Sequence, residues 1–352
     1  MSPFARPPAR ADWRADRWGT LRCLAVRKET VDVRTFVLAP EDGGRAPFEA
    51  GQFMTFRATV DGEVVERCYT LSSSAASERS FEITVKRKGG GVLSGHLHDT
   101  LRPGGTIEAF GPSGRFGPAT LEHDKYLLVS AGSGVTPMLS IVRTAADLGI
   151  DLDAAFVQVA RGPDELIAAG DLLPLSRRLP RLKVSHVVSA APGDWSHGRT
   201  GRLDAAMLLA LVPDLAERAV LCCGPEGFMA AMREACLAAG VPEGRYLEET
   251  FDFGEMEAAI IATGGPVRRI TFAKSGRSFD CPDGLTILQA AKVAGVPIPS
   301  SCAKGICGTC KCLKLSGEVT MNHGGGIRDR EIARGFVLPC SSRPNTDVVL
   351  DR

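Results

Sequence analysis

The sequence predicts a multidomain chain that combines three folds. An antiparallel β-barrel is expected over residues 19–118, an α/β domain with a doubly wound parallel sheet over residues 119–251, and an α+β domain of the β-grasp type over residues 268–352. Short strands separated by Gly and Pro predict the barrel, and alternating strands and helices predict the parallel sheet. Short strands around one helix and a cysteine-rich loop predict the third domain. A flexible N-terminal lead (1–18) and a linker (252–267) complete the chain.

The composition is that of a soluble globular protein. The 352 residues are 44% hydrophobic and 24% charged, and a formal net charge of +1 gives no indication of a nucleic-acid partner. No apolar run is long enough for a membrane span, and Met1–Arg17 lacks the apolar core of a secretory signal. Eleven cysteines without such a signal indicate a reducing compartment, so a cytoplasmic protein is expected.

One segment of the barrel has a pattern suited to a flavin. It reads Arg67-Cys-Tyr69-Thr70-Leu-Ser-Ser73 and matches the Arg-x-Tyr-Ser/Thr-x-x-Ser motif of ferredoxin–NADP reductase-like flavoproteins. Tyr69 offers an aromatic face to the isoalloxazine ring, Arg67 a cation for a phosphate, and Thr70 a hydroxyl near the flavin N5. Alone the motif is weak, because such a strand more often fills a core. Four further barrel strands are expected at Thr20–Val26, Val33–Leu38, Phe53–Val60 and Phe81–Arg87.

A glycine-rich turn strengthens the flavin interpretation. Gly89-Gly-Gly91-Val92-Leu-Ser94 resembles the Gly-x-x-Ser element of the same family, in which main-chain N–H groups at a helix start cradle a pyrophosphate. Ser94–Asp99 is expected to form that helix, and the element favours FAD over FMN. The resemblance implies an FAD site made of Arg67, Tyr69, Thr70, Ser73, Val85, Lys86, Gly91, Val92, Ser94, Thr136 and Phe251.

The α/β domain opens on a nucleotide-binding turn. Lys125–Ala131 is an almost wholly apolar run, as expected for a buried parallel strand, and a helix is expected over Met138–Ala146. The turn between them, Gly132-Ser-Gly134-Val-Thr136-Pro137, lacks the third glycine of the common dinucleotide fingerprint. It does match the Gly-x-Gly-x-Thr-Pro turn of the reductase family. Further alternating strands and helices are expected at Ala154–Ala160, Asp164–Ala169, Lys183–Ser189, Asp204–Leu211 and Ala219–Cys223.

Three later features complete the predicted nicotinamide site. Cys223-Gly224-Pro225 resembles the family element that borders the nicotinamide ring, although a buried strand end is the plainer explanation of Cys223 alone. Glu249 and Phe251 resemble a closing element that supplies a proton and shields the flavin, but either could be ordinary packing. Arg161 is a candidate for a 2′-phosphate, and NADH is nevertheless favoured over NADPH. The predicted NAD(P) site is Gly132, Gly134, Thr136, Pro137, Arg161, Cys223, Gly224 and Pro225, and the candidate catalytic residues are Thr136, Cys223 and Glu249.

Four cysteines of the last domain have the spacing of an iron–sulfur site. Cys302, Cys307 and Cys310 follow the plant-type Cys-x4-Cys-x2-Cys pattern, and Cys340 is the distant fourth ligand of a [2Fe–2S] cluster. A zinc site is the alternative, but zinc sites commonly pair two Cys-x2-Cys units. Cys312 is a neighbouring thiol that strand alternation does not exclude, and Cys310 is favoured on spacing.

The order of the three domains resembles a known class of electron-transfer enzyme. It is similar to the reductase components of Rieske-type monooxygenases for glycine betaine and similar quaternary amines, and to the reductases of phenylacetyl-CoA oxygenase and hybrid-cluster protein. The likeness to the glycine betaine group lies in the SSCAKGICGTCKC loop and the NHGGGIRDREIARGFVLPCSSRP tail. It implies an NADH-dependent oxidoreductase that passes electrons through FAD and the [2Fe–2S] cluster to a partner oxygenase. A non-enzymatic zinc-binding interaction protein is the distant alternative.

Overall fold

The protein is described by a computed structural model that covers residues 13–15, 17–193, 195–251, 266–296, 298, 305, 308 and 310–352. The chain divides into two compact units, Met1–Asp252 and Phe253–Arg352. The predicted lead and linker fall largely on residues outside this description. Within it, no helix combines the length and apolar character needed to cross a membrane.

The first sheet of the first unit is the predicted barrel. Its six antiparallel strands lie in the order β4-β3-β6-β1-β2-β5, and a bridge between Leu71 and Ile83 joins the region of the two edge strands. Phe36, Phe56 and Phe81 are fully buried inside it. Helix α1 (Val92–Thr100) connects the fifth strand to the sixth. The strands are β1 (Gly19–Lys28), β2 (Val33–Pro40), β3 (Phe53–Val60), β4 (Glu63–Thr70), β5 (Phe81–Lys86) and β6 (Thr106–Ser113).

The second sheet of this unit is parallel. From β7 the chain moves outward through β8, β9 and β10, and then returns to the other side of β7 for β11 and β12. Parallel strands open a binding crevice at their carboxyl ends where the winding direction reverses, which here is between β7 and β11. The elements are β7 (Lys125–Ala131), α2 (Val135–Leu148), β8 (Asp153–Ala160), α3 (Ala169–Arg178), β9 (Leu182–Val188), β10 (Arg199–Thr200), α4 (Ala205–Leu211), β11 (Ala219–Cys223), α5 (Glu226–Ala238) and β12 (Tyr246–Glu249).

The second unit has the β-grasp arrangement. Five strands lie in the order β14-β13-β19-β15-β17, with β13 parallel to β19, and β16 pairs with β18 in a small separate sheet. Helix α6 covers a core that includes Ile270, Phe272 and Leu350. The elements are β13 (Val267–Phe272), β14 (Ser278–Pro282), α6 (Ile287–Val293), β15 (Cys312–Ser316), β16 (Val319–Met321), α7 (Asp329–Ile332), β17 (Phe336–Val337), β18 (Ser342–Pro344) and β19 (Val348–Leu350).

The helix expected over Asp164–Ala169 is displaced. A short 3-10 turn occupies Pro163–Glu165, and α3 begins only at Ala169. The residue before it, Ala168, has a left-handed φ of 53°, so the helix has no continuous path back to the turn. Pro174 lies inside α3, where a proline removes one main-chain hydrogen bond of the helix.

Candidate functional site

Strand β4 presents the predicted flavin motif on an edge of the barrel. The Tyr69 ring is half-buried and lies 5.8 Å from the Phe56 ring, centroid to centroid, in a tilted arrangement. Burial raises the pKa of the Tyr69 phenol, so the side chain is a neutral aromatic surface at physiological pH. Arg67, two residues earlier, is exposed, and its Nη1 donates to the main-chain oxygen of Glu66 at 2.7 Å. An aromatic face and a charged guanidinium therefore share one side of the strand.

Thr70 gives the strongest local indication of a missing ligand. Its side chain is only 4% exposed, and its buried Oγ1 has no hydrogen-bond partner within the described part of the chain. Leaving a buried hydroxyl unpaired costs about 1–3 kcal/mol, so such groups usually have a partner. By contrast, Ser73 Oγ accepts a hydrogen bond from the Glu82 main-chain N–H at 3.0 Å. A polar flavin atom is a suitable partner for the Thr70 hydroxyl, and the site therefore fits a flavin.

The predicted pyrophosphate turn forms the start of α1. Ser94 Oγ accepts a hydrogen bond from the Lys88 main-chain N–H at 3.2 Å and donates to the Gly91 oxygen at 3.2 Å. A Cβ added at Gly91 would lie 2.6 Å from Ser94 Oγ, so the turn needs glycine there. Val92, the first helical residue, is 46% exposed. The first N–H groups of α1 are thus open to an anion, and the helix dipole favours one.

The remaining predicted FAD residues on β5 have other partners. Val85 is buried in the barrel core, and its main-chain oxygen lies 2.9 Å from His98 Nε2. Lys86 Nζ lies 3.2 Å from an Asp32 carboxylate oxygen and 3.5 Å from a Glu165 carboxylate oxygen. Val85 therefore contacts α1 through His98, and the Lys86 ammonium lies between the Asp32 and Glu165 carboxylates.

The two predicted nicotinamide turns pack directly on each other. β7 and β11 are neighbours, with Ser130 in register with Cys223, so their following turns meet at the switch point. A Cβ added at Gly134 would lie 2.2 Å from the Cys223 main-chain oxygen, which excludes any side chain at residue 134. Gly132 has a φ of 56°, and Pro137 lies in the first turn of α2. Thr136 is 2% exposed, and its Oγ1 donates to the Ser133 oxygen at 3.1 Å.

Cys223 and Glu249 lie in one row across the sheet. β11 and β12 place these two residues in register, and Cys223 is fully buried. Burial, with the nearby Glu249 carboxylate, raises the pKa of the Cys223 thiol well above its usual value, so the thiol stays protonated at neutral pH. Gly224 follows with a Cβ position 3.1 Å from Ala131 Cβ, and Pro225 precedes α5. Cys223 thus contributes a small neutral surface rather than a thiolate.

Two further predicted residues lie at the rim of this region. Arg161 follows β8 with a highly exposed side chain, and its Nε and Nη2 donate to one Glu165 oxygen at 3.0 and 2.9 Å. The Glu165 carboxylate therefore competes with a 2′-phosphate for the Arg161 guanidinium. Phe251 is half-buried and packs on the hydrophobic core of the parallel sheet.

The cluster loop, defined here as residues 302–310, is described only in part. Cys302 and Cys307 lie outside the described residues. Cys310 Sγ and Cys340 Sγ are 3.2 Å apart, and the Gly305 main-chain N–H donates to Cys340 Sγ at 3.2 Å. Gly305 and Gly308 have φ values of 70° and 74°, which side chains disfavour. Two thiols and an inward N–H donor fit a thiolate-ligated cluster.

Cys312 has a different environment from Cys310. Cys310 lies in a turn, whereas β15 begins at Cys312, where the residue pairs with Val337. Like Cys310, the Cys312 side chain belongs to the hydrophobic core, and burial raises the pKa of the Cys312 thiol. The alternation of side chains along a strand therefore does not place Cys310 and Cys312 on the same side, because only Cys312 belongs to the strand.

The sequence-based prediction missed a polar face on helix α2. Arg143 Nη1 donates to the Ser72 oxygen at 2.8 Å and lies 3.2 Å from a Glu82 carboxylate oxygen, and its Nη2 donates to Asp171. On the same face, Ser140 Oγ donates to the Ser73 oxygen at 2.9 Å, and the Ala75 N–H donates to Thr144 Oγ1 at 2.9 Å. A cleft of about 430 Å³ opens beside Arg143. Helix α2 is thus hydrogen-bonded to residues 72–75, the segment that follows strand β4. The available signal was the i, i+3, i+4 spacing of polar residues in an otherwise apolar helix.

Comparison with known proteins assigns each part to a domain family. Residues 23–117 match the oxidoreductase FAD-binding domain, residues 128–234 the oxidoreductase NAD-binding domain, and residues 270–345 the 2Fe-2S iron-sulfur cluster binding domain. The cofactors predicted from the sequence, FAD, a nicotinamide nucleotide and a [2Fe–2S] cluster, are confirmed by these matches.

Relatives match over almost the whole chain. The chain is 37% identical to the glycine betaine monooxygenase reductase subunit of Pseudomonas aeruginosa (strain UCBPP-PA14), with 99% of both chains covered. It is 37% identical to a stachydrine N-demethylase reductase subunit of Rhizobium meliloti (strain 1021), with 92% of this chain and 94% of that one covered. The solved structure of phthalate dioxygenase reductase, described as modular for electron transfer from pyridine nucleotides to [2Fe–2S], is 27% identical, covers 95% of this chain and 98% of that chain, and has a TM-score of 0.59.

Each cofactor has a separate chemical task in such a chain. FAD held by the barrel motif would supply hydride-accepting chemistry toward the reduced nicotinamide, and a [2Fe–2S] cluster held by the cysteines would supply one-electron transfer. The chain therefore belongs to the family of NAD(P)H-dependent, FAD- and [2Fe–2S]-containing reductases that form the reductase components of monooxygenases.

Proposed function

We propose that this reductase supplies electrons to a Rieske-type monooxygenase acting on glycine betaine or a similar quaternary amine. The observation that carries the proposal is the 37% identity to a glycine betaine monooxygenase reductase subunit over 99% of both chains. The equal identity to a stachydrine N-demethylase reductase subunit points to the same kind of N-methylated substrate. The partner oxygenase and the substrate are thus proposed together.

The geometry supports specific roles for the chain's own residues. Tyr69 would cover the flavin ring, and Thr70 would donate the hydrogen bond that its buried hydroxyl lacks. Arg67 and the start of α1 would neutralise the phosphates. Thr136 at the first turn of α2 would separate flavin and nicotinamide, with Cys223 as an apolar wall.

The remaining roles and the domain limits rest on fewer contacts. Glu249 would assist proton supply and Phe251 would shield the flavin, supported by their place beside the Cys223 row. Cys302, Cys307, Cys310 and Cys340 would hold the cluster, supported by the approach of Cys310 to Cys340. The proposed domain limits enclose each of the three matched families. A cytoplasmic location is supported by the described cysteines Cys23, Cys222, Cys223, Cys236, Cys281 and Cys312, which form no disulfide.

Reconstitution with purified oxygenases tests the partner. With a glycine betaine oxygenase, NADH oxidation should be coupled to release of formaldehyde from an N-methyl group. The Cys310→Ser variant is the matched control, since it should lose this coupled activity and keep NADH–ferricyanide activity. Coupling only to a di-iron oxygenase of the phenylacetyl-CoA type, or only to hybrid-cluster protein, would contradict the proposed partner. Abundant zinc in a colourless protein would contradict the reductase itself.

A further inference from the structure

Charge is divided unevenly along the chain. Residues 266–352 contain thirteen Lys and Arg and seven Asp and Glu, a formal net charge of +6. Since the whole chain has a net charge of +1, residues 1–265 have a net charge of −5. The part of the chain that carries the iron–sulfur cysteines is therefore basic, while the whole protein is close to neutral.

Three arginines of this basic part follow a short glycine segment, 324–326, that contacts the described glycines of the cluster loop. The main-chain N–H groups of Gly324 and Gly326 donate to the Gly305 oxygen at 3.1 and 2.9 Å. A Cβ added at Gly308 would lie 2.7 Å from the Gly326 oxygen, so the two backbones are in close contact. The chain then continues directly into Arg328 and α7. The position of α7 beside the loop is thus set by main-chain contacts.

A second contact joins α7 to the residue that follows Cys310. Lys311, the residue after Cys310, places its Nζ 2.7 Å from a Glu331 carboxylate oxygen. Burial opposes ionisation of Glu331, but its hydrogen bonds to Lys311 and to the Arg328 N–H hold the pKa of that carboxyl below its usual value. Of the two acidic residues of α7, Glu331 is paired with Lys311, and Asp329 is exposed, so one acidic and three basic side chains of residues 328–334 are left to the surface.

Four exposed residues of this segment form what we call the basic rim, namely Arg328, Arg330, Ile332 and Arg334. All three arginines are exposed, and Ile332 between them is 37% exposed. Within the described part of the chain, Arg330 and Arg334 form no ion pair. Exposed arginines around an apolar side chain are typical of a protein-binding surface.

We propose that the basic rim is the docking surface for the protein electron acceptor, and that the acceptor's docking face is acidic. The inference rests on the proposed function in taking that acceptor to be the oxygenase. Opposite charge on two partners steers their encounter and raises association rates by about 10- to 1,000-fold at low salt. The rim directly follows Gly324–Gly326, which contact Gly305 and Gly308, so docking there would bring the acceptor close to the cluster cysteines.

The acidic N-terminal part of the same chain is the competing occupant. A tether already supplies a high effective concentration, so two parts of one chain gain little from long-range steering. A separate acceptor must find the reductase by diffusion and gains the full effect. The charge of the rim is therefore assigned to the external partner.

Charge reversal with a matched control tests the assignment. Arg330→Glu/Arg334→Glu changes the rim, and Arg269→Glu/Arg277→Glu makes the same change in charge on the β13–β14 hairpin at the opposite edge of the sheet. Visible spectra would show that both variants keep flavin and cluster. Measurements are the dissociation constant for the oxygenase, the rate of electron transfer to it as a function of ionic strength, and the rates with an anionic cobalt(III)–EDTA and a cationic cobalt(III)–phenanthroline acceptor.

The rim variant should bind the oxygenase at least about ten-fold more weakly at low salt and lose the salt dependence of electron transfer. It should also favour the cationic cobalt acceptor over the anionic one, whereas the hairpin variant stays close to wild type in every measurement. Equal effects in both variants would overturn the proposal, as would slower flavin-to-cluster transfer with unchanged oxygenase binding. If no oxygenase accepts electrons from the wild type at any salt, the proposed function fails, and the two cobalt acceptors still decide whether the rim is an electrostatic entry surface.

Discussion

Arg143 on helix α2 donates a hydrogen bond across 2.8 Å to the main-chain oxygen of Ser72, two residues beyond the flavin strand. The same guanidinium contacts Glu82 of the barrel and Asp171 of α3, and its side chain is only 14% exposed. Since α2 begins at the nicotinamide turn, this contact relates the position of the nicotinamide site to the position of the flavin strand. Arg143 is a positioning residue by this geometry, because its described partners are Ser72, Glu82 and Asp171.

Replacing Arg143 with alanine should slow hydride transfer without releasing FAD. Small misplacement of reacting groups lowers rates by on the order of 100-fold, so the rate of flavin reduction by NADH in stopped-flow experiments should fall at least ten-fold. Arg143→Lys should recover only part of the rate, because one ammonium does not reproduce the guanidinium's fork of donors. Arg178→Ala is the control, because Arg178 borders the same cleft but pairs with the exposed Asp147. An unchanged reduction rate and KM for NADH in Arg143→Ala would refute the positioning role.

Thr70→Val should weaken FAD binding while leaving the apo-protein as stable as before or slightly more so. The hydroxyl has no partner in the described part of the protein, so valine removes a desolvation cost that only the flavin can relieve. A loss of about 1 kcal/mol corresponds to a five-fold weaker FAD dissociation constant, measurable by fluorescence titration. Thr84→Val is the opposite case, since the Thr84 hydroxyl bonds to Thr35 and Ser72. It should lower the melting temperature and spare FAD affinity. The same FAD affinity in Thr70→Val and wild type would remove Thr70 from the site.

Cys310→Ser and Cys312→Ser should behave differently although only one residue separates them. All three thiols are buried in the same core, but Cys310 Sγ lies 3.2 Å from Cys340 Sγ, whereas Cys312 starts β15 and pairs with Val337. The Cys310 variant should lose iron, sulfide and the paramagnetic signal after reduction. The Cys312 variant should keep all three with a modest loss of stability. Retention of iron by Cys310→Ser with loss by Cys312→Ser would reverse the assignment.

His98 should make the barrel sensitive to acid. Burial lowers the pKa of His98 below its ordinary value of 6.5, and the charges of Arg34 and Arg87 act in the same direction. The folded state therefore holds the ring neutral and binds fewer protons than the unfolded state. This contribution to stability is complete above pH 6.5 and is lost as the pH falls through the lower, folded-state pKa.

The test is the melting temperature between pH 7.5 and 5. His98→Gln can still donate to the Val85 oxygen but does not titrate, so its melting temperature should fall less on acidification than that of the wild type. His96→Gln on the same helix is the control and should keep the wild-type slope. Identical slopes for all three proteins would show that protonation of His98 does not contribute.

Local sequence signals located the elements whose boundaries are set by local chemistry. Lys125–Ala131 and Phe53–Val60 were predicted residue for residue, because each is an apolar run bounded by turn residues. The start of α3 was missed, since the left-handed Ala168 that delays it is not a residue type that signals such a turn. Within the candidate site, the glycine turns were recognisable because close approach demands glycine.

The rest of the site depends on contacts between distant parts of the chain. Arg143 and Ser72 are 71 residues apart, and nothing in either segment alone indicates the other. The different positions of Cys310 and Cys312 could not be predicted either, because they depend on where β15 begins. The burial of Cys223 could be predicted from its apolar strand. That Cys223 lies in register with Glu249 could not, because it depends on the pairing of β11 with β12.

Gly134 has no room for a side chain, so this position cannot vary in the way that surface positions can. A methyl group on this residue would come within 2.2 Å of the carbonyl oxygen of Cys223, so the two turns tolerate no new side chain. Arg161 and Glu165, by contrast, are a surface pair outside that packing. We therefore expect coenzyme preference to respond to substitution of Arg161 or Glu165, and the paired turns at Gly134 and Cys223 to tolerate no added side chain.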